Sequence, residues 1–132
     1  MKWMMLKIAR SGLGGWCVGR IMENWSGLLP VERLYETSQL VAFVHPQPVY
    51  STHILIVPKR AIPDLGALLV EEVEFVNQFM IDLLTCINRL VADYDLEKSG
   101  YRLIVNGGIY QDIPELHFHL VSGPLSHAIS GE

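Results

Sequence analysis

The chain of 132 residues is half apolar and carries a formal net charge of -4. That suits one domain with a substantial core and excludes a chain-wide electrostatic grip on nucleic acid or an anionic membrane surface. Cys17 and Cys86 have no short spacing between them, so neither a disulfide framework nor a cysteine zinc site is expected, and a reducing cytoplasm is the default compartment.

Residues 1–30 set Lys2, Lys7, Arg10 and Arg20 against the single acid Glu23, among Trp3, Trp16 and Trp25. Lys7 and Arg10 interrupt the first apolar run before it reaches signal-peptide length, so no secretion signal is expected. Trp16 to Trp25 reads as a short amphipathic helix. A basic, tryptophan-bearing helix suits a membrane surface; Gly12, Gly14, Gly15 and Gly19 weaken an autonomous helix and favour packing on the same domain or on a dimer partner. The longest uncharged run, Thr37 to Pro58, holds three prolines and two histidines, which a lipid-facing helix would not tolerate.

Val31 to Glu36 and Leu40 to Val44 read as strands joined by the turn Thr37-Ser38-Gln39. Pro46 and Pro48 mark residues 45–52 as a loop. His53 to Val57 follows as a buried strand stopped by Pro58. Leu69, Val73, Val76, Met80, Leu83, Ile87, Leu90 and Tyr94 then draw one apolar stripe at helical spacing. Tyr101 to Val105 is a further strand, Asn106-Gly107-Gly108 a turn, and Ile113 to Val121 a last strand ended by Gly123-Pro124. The order predicts an α+β fold: a mainly antiparallel sheet with a long helix packed on it. The expected organisation is an N-terminal extension over 1–30, a domain over 31–123 and a tail over 124–132.

The last strand carries the chemistry. Apolar and ionisable residues alternate from Glu115 to Val121, which at a period of two puts Glu115, His117 and His119 on one face and Leu116, Phe118 and Leu120 on the other. One histidine in such a place is ordinarily a hydrogen-bonded core residue. Two beside a carboxylate favour acid, base or nucleophilic work near neutral pH.

His117-Phe118-His119-Leu120-Val121, preceded by Gln111 and Pro114, resembles the end of the histidine-triad (HIT) motif. The block Ala42-Phe43, Pro48 and His53 to Arg60, and the block Arg102 to Gly107, resemble the family's earlier segments in order and spacing. The resemblance implies a five-stranded antiparallel sheet, a dimer, and a nucleotide or nucleotide-like phosphate ester as ligand, with no nucleic acid partner. It implies cleavage at the α-phosphorus of a phosphoramidate or phosphoanhydride, with transfer first to the middle histidine and then to water or another acceptor. That middle position is His117; His119 is the third, His53 matches the upstream active-site histidine, and Asn106 matches the asparagine that holds phosphate. No metal or cofactor is needed by this scheme.

The chain departs from the motif at three residues, and its loop between Asn106 and Gln111 is shorter than is usual for the family. Glu115 stands where the leading histidine is expected, Asp112 where relatives carry a small hydroxyl residue near the phosphate, and His45 where an aspartate meets the ribose. Gln111, Asp112, Glu115 and His45 therefore join Asn106 as expected ligand-binding residues. Two rival readings follow: a nucleotide-binding module whose chemistry has weakened, and a metal site from His53, His117, His119 and Glu115.

Overall fold

The computed structural model describes residues 32–125, and the helix expected from Trp16 to Trp25 lies outside them. Five strands, β1 (Arg33–Glu36), β2 (Leu40–Val44), β3 (Tyr50–Pro58), β4 (Arg102–Ile104) and β5 (Phe118–Leu125), form one sheet in the order β1-β2-β3-β5-β4. Every neighbouring pair is antiparallel. The long helix α1 (Val73–Asp93) and the short helix α2 (Leu96–Ser99) stand between β3 and β4. Among the described residues, no helix is long and apolar enough to cross a membrane.

The pleat divides the sheet chemically. Ala42 pairs with Ile56, Ile56 with Phe118 and Ile54 with Leu120; directly opposed residues share a face, and these join the buried core with α1. The intervening pairs, Phe43 with Leu55, Leu55 with His119 and His53 with Val121, face the other way. One strand alternation thus builds the core and the site together.

The buried stripe of helix α1 shares Leu83, Ile87 and Leu90 with the predicted one but is rotated from it toward Phe75 and Phe79. Phe75, Phe79, Leu83, Cys86, Ile87, Leu90 and Val91 are buried, whereas Leu69 and Val73 are 84% and 69% exposed, and Met80 and Tyr94 are exposed as well. The segment is apolar on more than one face, so helical spacing alone admits two stripes. The two phenylalanines bury more area than valine and methionine would, and they decide the rotation. Leu69 lies in a separate 3-10 turn, Gly66–Val70. Cys86 is fully buried, which pushes its thiol up to about 12 and leaves it a small inert hydrophobe.

Thr37 anchors the first hairpin: its Oγ1 accepts from the Gln39 and Leu40 amides at 3.0 and 3.2 Å and donates to Asp82 on α1 at 2.7 Å. The other boundaries shift. β3 begins at Tyr50, inside the predicted loop, and β4 is shorter than predicted. β5 starts at Phe118 rather than Ile113 and continues through Gly123 and Pro124 to Leu125, two residues beyond the expected domain end.

Gly123 allows that continuation. The register slips between Tyr50 and Thr52, opposite the Gly123 region, and Gly123 has φ +83° with an added Cβ falling 2.8 Å from both Cβ and Oγ of Ser51. A bulge of this kind lets a strand absorb a proline that has no amide to donate. Gly123→Ala is expected to destabilise the fold by about 1–2 kcal/mol. In chemical denaturation, a Ser51→Gly background should recover the steric part of that loss and leave the φ part.

Candidate active site

Residues 113–117 approach β5 as irregular chain rather than strand. The Glu115 amide donates to the Ile113 carbonyl and the Leu116 amide to the Ile62 carbonyl, each at 2.7 Å. Strand alternation therefore does not put Glu115 on the face of His119. The residue is 3% exposed, and neither carboxyl oxygen has a hydrogen-bond partner. Burial pushes that carboxyl up to about 7, against a smaller pull from the Ile62 backbone N–H that stops short of a formed hydrogen bond.

On the sheet face away from α1 lies a cavity of about 360 Å³, whose wall includes His45, His53, His117, His119, Tyr50, Asn106 and Asp112. Six of the eight residues expected from the sequence line it: His45, His53, Asn106, Asp112, His117 and His119. Glu115 and Gln111 do not. The Gln111 side-chain amide donates to the Pro63 and Ile113 carbonyls at 2.7 and 3.0 Å, tying the loop before β5 to the segment after β3. Lys59 and Arg60 also lie off the wall, paired with Glu36 and with Glu71 and Glu72.

The hydrogen bonds assign a tautomer to each imidazole. His117 Nδ1 lies 2.7 Å from the Glu115 carbonyl oxygen, and a carbonyl only accepts, so Nδ1 carries the proton and Nε2 holds the lone pair. Burial lowers the proton affinity of His117, opposed by the Glu115 carbonyl and by the negative charge of Asp112. The ring is thus held in the neutral form that a nucleophile requires.

His53 is fixed from both sides. The Val49 amide donates to its Nδ1 at 3.0 Å, and its Nε2 lies 2.9 Å from Nδ1 of His119. Because Nδ1 accepts, Nε2 must donate, and His119 is left with its proton on Nε2. An extra proton on this pair would displace either the Val49 N–H or the His53 N–H from its acceptor. The Gln47 amide fixes His45 in the same way, donating to Nδ1 at 3.0 Å.

These two amide donors were not foreseen from the sequence, although a signal for them is there. In His45-Pro46-Gln47-Pro48-Val49 the prolines have no N–H, so Gln47 and Val49 carry the donors of the segment. Tyr50 on the cavity wall was likewise missed, since it lay in the predicted loop; it meets His53 edge to face at 5.5 Å between ring centres.

A metal reading keeps His53 and His119 of the expected set, adds His45, and loses His117 and Glu115. One potential ligand atom from each of His45, His53 and His119 lies within 4.8 Å of the others, while His117 and Glu115 stand outside that cluster. An ion shared by His53 Nε2 and His119 Nδ1 would need both lone pairs, and Val49 holds His53 in the tautomer that has none on Nε2. The hydrogen bonds and such an ion compete for the same atoms.

Comparison with known proteins identifies the fold's family. The HIT domain model matches residues 27–124. An uncharacterized HIT-like protein of Rickettsia prowazekii is 34% identical over 101 residues, covering 72% of this chain and 78% of its own length. Another, from Buchnera aphidicola, is 30% identical over 110 residues, covering 81% and 94%. The solved HIT family hydrolase of Clostridium thermocellum superposes with a TM-score of 0.63 at 30% identity, covering 80% of this chain and 88% of that one. With the match spanning the sheet, the helix and the histidine cavity, the chain belongs to the HIT family.

Proposed function

We propose that the chain is a nucleotide hydrolase or nucleotidyl transferase that cleaves a phosphoramidate or phosphoanhydride at the α-phosphorus through a covalent intermediate on His117. The observation that carries this reading is the tautomer of His117: Nδ1–H held by the Glu115 carbonyl, with an unprotonated Nε2 on a ring that lines the cavity. Nε2 forms a bond to phosphorus as the bond to the leaving group breaks. Water or another acceptor then displaces the imidazole and restores it.

The remaining wall suits a phosphoryl group. His119 presents a neutral Nε2–H, and Asn106 a side-chain amide, as donors for non-bridging oxygens whose charge grows in the transition state. His53 acts through His119 by fixing its tautomer and serves as a positioning residue. The name of the Clostridium thermocellum neighbour, a HIT family hydrolase, is consistent with this reading.

The test is to trap the intermediate. Full-length protein mixed briefly with adenosine or guanosine 5′-phosphoramidate and quenched should show one added nucleotidyl group by intact-mass spectrometry, mapped to His117 and absent from His117→Ala. Turnover without any adduct, undiminished in that variant, would sink the covalent scheme. Nucleotide binding without product would favour the rival, a binding module.

A further inference from the structure

Glu115 reaches His117 through its main chain. Its carbonyl oxygen lies 2.7 Å from Nδ1 of His117 and accepts the proton there, while its own side chain is buried with both carboxyl oxygens unpartnered. The residue precedes β5, in irregular chain held by the bonds from its amide to the Ile113 carbonyl and from the Leu116 amide to the Ile62 carbonyl. One Cα thus joins a buried acid to the acceptor that fixes the nucleophile's tautomer. The titratable groups nearby act elsewhere: Asp112 on His117, whose ring also meets that of His119 edge-on, Arg60 on Glu71 and Glu72, and Asp64 on the Ala67 amide. Among the described residues, burial and the Ile62 amide are what act on the Glu115 carboxyl.

We propose that Glu115 is a positioning residue with two states: protonated, it stays inside and its carbonyl holds His117 ready to attack; ionised, it moves toward solvent and withdraws that carbonyl. This rests on the His117 reading above and gives the same site an alkaline limit. Burial places the change near neutrality, since the carboxyl is pushed up to about 7. Below that value the acid is neutral and the interior accommodates it. Above it the proton goes to water, and a carboxylate without a hydrogen bond is costly to keep buried. That cost drives the movement. Side chain and carbonyl belong to one residue, so a main-chain rotation at 115 that brings the carboxylate to water also turns the carbonyl off Nδ1. The His117 proton is then free to sit on either nitrogen, and on Nε2 it blocks attack. An ordinary imidazole nucleophile gains with rising pH as its ring deprotonates; this one is disarmed.

The test follows kcat of the full-length chain on adenosine 5′-phosphoramidate from pH 6 to 9, beside its histidine-selective 15N NMR spectrum. In the wild type, kcat should fall about tenfold or more between pH 6.5 and 8.5. The Nδ1–H signature of His117 should fade over the same range while far-UV circular dichroism stays constant. Glu115→Gln and Glu115→Met, each compared with its own value at pH 6.5, should lack both changes. An alkaline fall that persists in both variants, or a wild-type His117 tautomer that ignores pH, overturns the proposal, while turnover with a His117 adduct still upholds the covalent reading. A pH-dependent tautomer in the wild type without turnover at any pH upholds the movement and overturns the covalent reading.

Discussion

His117→Ala is expected to lower turnover by about 10³-fold or more while changing nucleotide affinity only a few-fold. The ring lines one part of a cavity with six other polar or ionisable residues on its wall, so removing it leaves most ligand contacts in place. What is lost is the atom that forms the bond to phosphorus, and no neighbour can replace it. The tautomer of His53 gives its Nε2 a proton, and that of His119 puts a proton on the nitrogen not facing His53. Rates from product formation, set beside affinities from calorimetry, check this split. A parallel loss of both would mean that His117 serves binding rather than chemistry.

Glu115→Gln is expected to stabilise the fold in a pH-dependent way. The carboxyl is raised from 4.5 in the free group to about 7 in the fold, chiefly by burial. Below about pH 4.5 it is neutral in both the folded and unfolded chain and has no effect on stability. As pH rises toward 7, the unfolded chain ionises while the folded one retains its proton, so stability falls. Above 7 the folded chain carries a buried carboxylate with no hydrogen bond, at a cost of about 2–3 kcal/mol. Glutamine keeps the shape and removes the ionisation. Urea denaturation should therefore show little difference between variant and wild type near pH 4.5 and a gain of about 2–3 kcal/mol by pH 8; equal differences at both pH values would contradict the account.

Much of this was legible in the chain, and the exceptions share a cause. Leu40 to Val44 is the strand its composition predicts, and His53 alternating with Ile54, Leu55 and Ile56 announces a strand with two unlike faces. Alternation reports side chains, however, and says nothing of which backbone groups find partners. The period of two runs unbroken from Glu115 to Leu120, yet the ladder begins at Phe118, so the alternation points Glu115 at the cleft when it is buried elsewhere. The helix shows the same limit: Leu83, Ile87 and Leu90 of the predicted stripe are buried, but only three-dimensional packing could bring Phe75 and Phe79 in beside them and leave Val73 and Met80 exposed. His117 and His119 were visible as residues, while their proton positions depend on a carbonyl at 115 and an amide at 49 that belong to the main chain.

The rhythm Pro46-Gln47-Pro48-Val49 therefore shapes how this site can change through mutation. Because the groups that orient His45 and His53 are backbone amides at 47 and 49, they are indifferent to the side chains attached there. Any substitution that keeps the backbone amide at 47 or 49 keeps the donor, even though the Val49 side chain itself lines the cavity. Proline is the one residue type that deletes the amide outright. The loop thus carries its chemical role in the main chain, and a reader comparing side chains alone would pass over the two residues whose amides orient His45 and His53.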